Sequence, residues 1–239
     1  MYSVILFIVS MKFLREDKSA AEKAIAKKIC EGLFKDKKVL WLVSGGSNIQ
    51  IEKNVMDMIR NHAQDRLGGL AILPIDERYG AQGHEDSNTE MMRQAGFAPG
   101  NAVWIDVLMH GLPFDQTVEF YSEVAGTALA NADVIVGQFG MGSDGHIAGI
   151  KPESPATTEP DESTIMGYNW EDYTRMTLMP AALKQITNAY LIAYGDDKKK
   201  PLLRLQKHDR SFQKLPAVLL YELPKVIVYN DQLKGGGTE

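Results

Sequence analysis

The chain has 239 residues, of which 44% are hydrophobic and 24% are charged, a balance typical of a globular domain with a sizeable core. Its formal net charge of −5 argues against a nucleic-acid partner, although a few local cations can still bind an anionic ligand. The single cysteine, Cys30, excludes an internal disulfide and favours a reducing compartment, so we expect a cytoplasmic protein.

The first eleven residues, MYSVILFIVSM, are the only segment that suggests export or a membrane. They are too short to span a bilayer and lack both a basic leading region and a small-residue cleavage site. Their valine, isoleucine and phenylalanine content predicts a β-strand instead, and we expect no membrane partner. At the other terminus, KGGGTE is typical of a flexible end.

Helix-like and strand-like segments alternate along the chain. Ser19 and Glu22 have capping-box spacing and predict a helix that ends near Phe34. Apolar runs predict strands, and amphipathic runs predict helices. The predicted strands that follow are 39–43, 70–75, 102–107, 133–139, 173–178, 190–195 and 225–229. The predicted helices are 48–62, a short one that is capped at SNTE (87–90) and stops at Gly96, 115–132, 180–189 and one after 197.

This alternation predicts an α/β fold with a mostly parallel, twisted sheet and helices on both faces. No linker is long enough to mark a boundary, so residues 1–239 are interpreted as a single domain. Ligands in such folds bind beyond the carboxyl ends of the strands. We therefore expect one shared rim from the loops that follow Val43, Ile75, Phe139, Leu178 and Tyr194.

The loop SGGS (44–47) is the first candidate ligand site on this rim. Its two glycines let the backbone approach a ligand, and the helix that follows offers free N–H groups and a positive dipole end. It is not a Walker A loop, because no G-K-[ST] follows. The alternative is a tight turn in which Ser47 caps the helix, and a phosphate site is compatible with that cap.

A second candidate is the segment LPIDERYGAQGHEDSN (73–88). Asp76 follows an apolar strand and is expected to face the rim as a candidate catalytic carboxylate. The nearby Glu77, Arg78 and His84 leave general acid–base chemistry, a metal site or a solvated loop open. A metal is the weakest of these interpretations, because only His84 supplies a nitrogen ligand and no metal-binding spacing occurs.

The third candidate is GQFGMGSDGHIAGIKP (137–152), in which residues 140–145 spell the dinucleotide pattern G-x-G-x-x-G. The helix that this pattern requires is interrupted by Pro152 and Pro155, so we reject that interpretation. A bent loop that presents Asp144 and His146 fits better, since a carboxylate can hold a histidine in one tautomer as a general base. A histidine packed beneath the loop remains the alternative.

Two cations lie near the same rim. Arg175 lies within a predicted strand, and Lys198 follows the strand end at Gly195. In isolation each is interpreted as a solvated or salt-bridged side chain. Together with SGGS they would complete an anion site from one planar, fork-shaped cation and one point-like cation.

Taken together, these loops resemble the 6-phosphogluconolactonase family, within a wider group that includes the glucosamine-6-phosphate deaminases. The matching segments are SGGS (44–47), DER with HEDSN (76–88), GMGSDGH (140–146), RMTL (175–178) and GDDK (195–198). The resemblance implies a modified Rossmann-like fold of the sugar-phosphate isomerase type. It also implies a hydrolase of 6-phosphoglucono-δ-lactone in the pentose phosphate pathway, with no metal or organic cofactor.

The resemblance further implies a role for each matching residue. His146 would activate water for attack on the lactone carbonyl, and Asp144 would orient His146. Arg78 or a backbone N–H would stabilise the oxyanion, while Asn88 and Gly142 would contact the substrate. The phosphate would be held by Ser44, Gly45, Gly46, Ser47, Arg175 and Lys198.

The chain departs from the lactonase pattern at several positions. Asn48 and Ile49 replace the usual T-P after SGGS, and I-A-G-I-K-P follows the histidine where lactonases have T-A-S-L-F-P. Lys151 occupies the place of a catalytic glutamate in the deaminases. In a deaminase or isomerase of this fold, Asp76 would move a proton between C1 and C2, and His146 would assist ring opening.

A sugar-phosphate sensor that binds without turnover is a further alternative. Such a sensor needs the phosphate site but not the His146–Asp144 pair. The sequence leaves the true substrate open, and both a monomer and a homodimer remain compatible with it.

Overall fold

The computed structural model describes residues 10–160, 163–209 and 211–233. The predicted strand at residues 1–11 lies outside these ranges except for its last two residues, and the predicted flexible end at 234–239 lies wholly outside them. The described strands are β1 (Ser10–Arg15), β2 (Val39–Val43), β3 (Leu70–Pro74), β4 (Asp76–Arg78), β5 (Val103–Trp104), β6 (Val134–Gly140), β7 (Ile165–Asn169), β8 (Thr174–Leu178), β9 (Asn188–Ala193) and β10 (Lys225–Asn230). The described α-helices are α1 (Lys18–Leu33), α2 (Ile49–Ala63), α3 (Asn88–Gln94), α4 (Phe114–Asn131), α5 (Pro155–Thr158), α6 (Pro180–Leu183) and α7 (Lys199–Gln206).

Seven strands form one parallel sheet in the order β1-β10-β9-β6-β2-β3-β5. All five residues of β2 are buried, because helices cover both faces. Leu40 packs into the core that includes Tyr121 of α4, whereas Trp41 packs on the opposite side with Ile25 of α1 and Val55 of α2. The predicted α/β fold with a mostly parallel sheet is confirmed, and the extension of one domain over residues 1–239 stays a prediction.

A second, three-stranded antiparallel sheet, β4-β8-β7, was not predicted. After Ile75 the chain leaves the main sheet and pairs with β8, which places Arg78 opposite Arg175. The expectation that the loop after Leu178 lies on the rim is therefore wrong. Because β8 runs antiparallel to β4, residues near the beginning of β8 border the ligand cavity instead.

The helix starts differ in part from the predicted caps. Asp17, rather than Ser19, caps α1, since its carboxylate accepts a hydrogen bond from the Ala20 N–H at 2.9 Å. Ser47 lies inside a 3₁₀ turn before α2 and makes no capping bond. The predicted cap of α3 is confirmed, because the Ser87 hydroxyl accepts from the Glu90 N–H at 3.1 Å.

Two predicted elements are shorter than expected. The strand predicted at 102–107 consists of Val103–Trp104 alone, and the helix predicted at 180–189 ends at Leu183. The second difference follows from the sheet, because Thr187 donates its N–H to Ile135 of β6 at 3.0 Å and leads directly into β9. Among the described helices, none has the length and apolar character needed to cross a bilayer.

Candidate active site

A polar cavity of about 280 Å³ opens at the carboxyl ends of β2, β6 and β9. It is lined by all of the predicted site residues except Asp144, which instead contacts His146. The lining also includes Lys151, Asp172 and Tyr173, which the sequence analysis did not assign to the site. A larger, mainly apolar groove of about 520 Å³ lies beside β5, but the titratable groups converge on the polar cavity.

His146 and Asp144 form a hydrogen-bonded pair at the cavity wall. The Nδ1 atom of His146 lies 2.6 Å from Asp144 Oδ1, and the His146 backbone N–H donates to the same oxygen at 3.0 Å. This arrangement leaves Nε2 as the ring nitrogen that can serve as a base. The alternative of a histidine packed beneath the loop is wrong, because 27% of the His146 side chain is exposed and it lines the cavity.

The charge state of Asp144 is set by its partners. Partial burial acts to raise its pKa, but the hydrogen bonds and charge of His146, with the Lys151 ammonium, hold the pKa well below its usual value. Asp144 is therefore a carboxylate across the neutral range. A permanently charged acceptor on Nδ1 favours the tautomer that has its lone pair on Nε2.

Gly142 sets the space in which this pair sits. Its N–H donates to the His146 carbonyl at 2.9 Å, and a Cβ built on Gly142 would clash with both Nδ1 of His146 and Oδ1 of Asp144. These two side chains can therefore occupy their observed positions only because residue 142 has no side chain.

We expect the G142A variant to lose activity by about one to two orders of magnitude, because a shift of about 1 Å in a catalytic group can cost about 100-fold. The variant should remain folded, and its free energy of unfolding should change little. Steady-state kinetics and urea denaturation measure the two effects. The matched control is G68A, because a Cβ on Gly68 meets nothing within 4 Å. Full activity in G142A would contradict the assigned role of the pair.

The SGGS loop is held from below by Glu52 on α2. The N–H groups of Ser44 and Gly45 donate to Glu52 Oε1 at 2.8 and 3.0 Å, so they point away from the cavity. Gly45 has a φ of +65°, and a Cβ there would lie 2.7 Å from Asn88. The N–H groups of Gly46 and Ser47, at the start of the 3₁₀ turn, have no acceptor within that turn and remain for a ligand.

Asp76 and Arg175 form another part of the cavity wall. Asp76 is 6% exposed, and Arg175 Nη1 lies 3.9 Å from its Oδ2. Burial raises the pKa of Asp76, although Arg175 and Arg78 act to lower it. Arg175 also donates to Asp172 through Nη2 at 2.8 Å and through Nε at 3.3 Å. Two carboxylates therefore orient the Arg175 guanidinium in the cavity wall.

Arg78 lies beside this wall. Its guanidinium lies over the ring of Tyr173 at 4.6 Å, and Nη1 donates to the Asp86 carbonyl at 3.0 Å. His84 hydrogen-bonds through Nε2 to the Arg78 carbonyl at 2.9 Å, so it supports the loop. Within the described ranges, no group of three or more histidine, cysteine, aspartate or glutamate side chains is arranged to hold a metal.

Glu77 is the buried anchor of the DER segment. It accepts hydrogen bonds from the N–H groups of Arg78, Asn88 and Thr89 at 2.8, 2.7 and 3.0 Å, and from the Ser87 hydroxyl at 3.1 Å. These bonds join the end of β4 to the start of α3. They place Asn88, whose Nδ2 donates to the Asp76 carbonyl at 3.0 Å, between the Asp76 wall and the SGGS loop.

Lys151 links the two sides of the cavity. Its Nζ lies 3.3 Å from Asp144 Oδ2, 3.4 Å from His146 Nδ1 and 3.8 Å from Asp172 Oδ2. The lysine therefore balances the two carboxylates that contact His146 and Arg175. On the remaining side, Lys198 reaches the cavity while Asp197 pairs with it at 2.6 Å.

Glu52 could have been recognised from the sequence as a residue that supports the site. Glu52 lies on the buried face of α2 with Val55, Met56 and Ile59, and a glutamate at a core position is a marker of a buried polar contact. Asp172 and Tyr173 carried no such signal, because their position depends on the unpredicted pairing of β4 with β8.

The fold and the cavity define an α/β protein with a polar cavity at the carboxyl ends of parallel strands, which is where proteins of this architecture bind ligands. The family model described as "Glucosamine-6-phosphate isomerases/6-phosphogluconolactonase" matches residues 16–227, and the chain belongs to this family. This membership confirms the resemblance found in the sequence.

Individual relatives agree with the family. A probable 6-phosphogluconolactonase of Dictyostelium discoideum is 25% identical over 184 residues, which cover 73% of this chain and 76% of that protein. The crystal structure of 6-phosphogluconolactonase from Thermotoga maritima superposes with a TM-score of 0.72 at 19% identity, covering 92% and 98% of the two chains. A monomeric glucosamine-6-phosphate deaminase has the same fold, with a TM-score of 0.73 at 14% identity and coverages of 92% and 96%.

Proposed function

We propose that this chain hydrolyses 6-phosphoglucono-δ-lactone to 6-phosphogluconate. The observation that carries the proposal is the His146–Asp144 pair, joined at 2.6 Å, with His146 in the same cavity as the SGGS loop. Family relatives that are named as 6-phosphogluconolactonases in two organisms support the choice of substrate.

In this mechanism the Nε2 atom of His146 removes a proton from water as the water oxygen attacks the lactone carbonyl. The carboxylate of Asp144 stabilises the imidazolium that forms. The C–O bond of the ring then breaks, and the proton passes to the departing ring oxygen. General-base assistance of this kind contributes about 10²–10⁴ in rate. Arg78 or a backbone N–H would stabilise the oxyanion.

The phosphate would be bound at the opposite end of the cavity. We assign it to the N–H groups of Gly46 and Ser47, the hydroxyl of Ser47, and the cations Arg175 and Lys198. Asn88 and Gly142 would contact the sugar. Fixing the phosphate holds the carbonyl in register with the activated water.

A deaminase or isomerase reaction on glucosamine 6-phosphate is the second candidate. The buried carboxylate of Asp76 in the cavity wall favours it, because burial raises its pKa and a carboxylate in that state accepts a proton more readily than a solvated one. Against it, Lys151 stands where the deaminase pattern has glutamate, and its ammonium already contacts Asp144. We therefore place lactone hydrolysis first.

The biological setting is also part of the proposal. A lactonase of this specificity belongs to the oxidative pentose phosphate pathway. The single cysteine, Cys30, which is buried, supports a reducing compartment such as the cytoplasm. The ligand is a small sugar phosphate, and the net charge of −5 gives no support to a nucleic-acid partner.

The test uses purified protein with freshly prepared 6-phosphogluconolactone and, separately, with glucosamine 6-phosphate. Proton release above the spontaneous rate reports lactone opening, whereas ammonia reports deamination. Lactone opening alone supports the proposal, and ammonia release moves the central role to Asp76. If neither reaction occurs but a sugar phosphate binds tightly, the protein is a sensor and the proposal is wrong.

A further inference from the structure

Glu52 is a buried carboxylate that the proposed mechanism does not use. It has no solvent exposure, and its Oε1 accepts three hydrogen bonds from the SGGS loop: from the Ser44 N–H, the Gly45 N–H and the Ser44 hydroxyl at 3.2 Å. The loop therefore lies between this carboxylate and the cavity. A phosphate on the outer side of the loop would be separated from Glu52 only by the loop backbone.

The second carboxylate oxygen of Glu52, Oε2, has a different environment. Oε2 is buried and has no hydrogen-bond partner among the described residues. Across the described ranges, no lysine, arginine or histidine lies within ion-pair distance of Glu52, whereas Asp76 has Arg175 at 3.9 Å. An unpaired buried charge is costly, and a carboxyl in such a position favours its neutral form.

The groups around Glu52 add little positive charge. Asp76, on β4, repels the charged form of Glu52, and on the packed helix α1 the buried carboxylate is Glu22, which accepts from Asn54 at 2.8 Å. The cavity cations and His146 belong to the polar cavity lined by the loop. Burial outweighs the loop hydrogen bonds and raises the pKa of Glu52 to about 7.

We propose that Glu52 is a positioning residue of the phosphate subsite and takes up one proton from solution when a phosphate dianion binds to the loop. The inference rests on the proposed phosphate site. The proton would bind Oε2, so Oε1 keeps its three donors and the loop keeps its shape. Binding a dianion beside a buried carboxylate is unfavourable in a low dielectric, and protonation removes that repulsion.

Binding of the phosphate should weaken as the pH rises above 7. Below pH 7 Glu52 is largely protonated before the ligand binds, so binding needs no proton from solution. Above pH 7 the proton must be supplied, and the affinity falls by up to tenfold per pH unit. The ligand phosphate, which has its second pKa near 6, is already a dianion in this upper range.

The experiment is calorimetric binding of 6-phosphogluconate at pH 7.0, 7.75 and 8.5, in pairs of buffers with different ionisation enthalpies. Wild-type protein should take up close to one proton at pH 8.5, and its Kd should weaken about tenfold or more between pH 7.0 and 8.5. The E52Q variant should take up none, and its Kd should change less than about twofold. In turnover, the loss of pH dependence should appear in KM and not in kcat.

The matched control is D57N, a carboxylate-to-amide change at a partly exposed position of the same helix, which should behave as wild type. Equal proton uptake in wild type and E52Q, or a pH-independent wild-type Kd, would overturn the proposal. If E52Q does not fold, inorganic sulfate, which keeps its charge over this range, replaces the variant. Sulfate must then raise the Tm of wild type more at pH 7.0 than at pH 8.5.

These readouts separate the inference from the proposed function. A protein that binds 6-phosphogluconate with proton uptake but opens no lactone refutes the lactonase activity and retains the role of Glu52. A protein that opens the lactone but has a pH-independent KM supports the lactonase activity and refutes the role of Glu52.

Discussion

Replacing His146 with alanine is expected to lower kcat for lactone opening by about 10³, within the range that general-base catalysis contributes. The affinity for 6-phosphogluconate should stay within about twofold, because the proposed phosphate site uses the SGGS loop, Arg175 and Lys198 rather than His146. The reason is geometric: Nε2 is the ring nitrogen that Asp144 leaves free, and alanine supplies no base in its place. Stopped-flow proton release and calorimetric binding measure the two quantities.

The control for this prediction is H62A. His62 is exposed on α2 and bonds through Nδ1 to the Met58 carbonyl at 2.8 Å, away from the cavity. D144N should also lower kcat, because an amide cannot stabilise the imidazolium as a carboxylate does. An H146A protein that opens lactone at the wild-type rate would remove His146 from the mechanism and leave Asp76 as the candidate base.

The sequence predicted most of the site because the signals were local. SGGS, DER and GMGSDGH each follow an apolar run, and the carboxyl ends of parallel strands meet at one edge of a sheet. The signal against the dinucleotide interpretation was also local, because Pro152 and Pro155 follow the glycine pattern closely. The structure agrees, since no described helix begins between Gly140 and Pro155, and α5 is only four residues long.

The parts that sequence reasoning missed depend on contacts between distant segments. An apolar run such as MTL of β8 predicts a strand but does not indicate which strand it pairs with. The antiparallel sheet with β4 could therefore not be predicted. Asp172 and Tyr173 enter the cavity only through that pairing. The direction of the Ser44 and Gly45 N–H groups depends on Glu52, eight and seven residues away on the next helix.

Lys151 departs from the family pattern, and its contacts in the structure explain its place in the site. In the sequence it was a lysine at a position where related enzymes have other residues. In the structure its ammonium lies between Asp144 and Asp172, so the cation belongs to the charge balance of the cavity. Lys151 and Glu52 therefore both contribute to the electrostatics of the site, although they lie outside the recognisable motifs.

The R175M variant is expected to raise KM by about 100-fold, because a charged hydrogen bond contributes about 1.5–3 kcal/mol. It should also lower the free energy of unfolding by about 3 kcal/mol at pH 7, since removing one partner leaves the buried Asp76 without its nearest positive charge. R66M is the control, because Arg66 forms an exposed ion pair with Asp36.

The pH dependence of that stability loss distinguishes the two effects of R175M. Burial already raises the pKa of Asp76, and the loss of Arg175 should raise it further. As the pH falls, Asp76 takes up a proton more readily in the folded variant, so the stability deficit relative to wild type should shrink between pH 7 and pH 5. Urea denaturation at several pH values measures it. A stability deficit that is constant with pH would mean that Arg175 does not influence the pKa of Asp76. An unchanged KM would exclude Arg175 from the phosphate site.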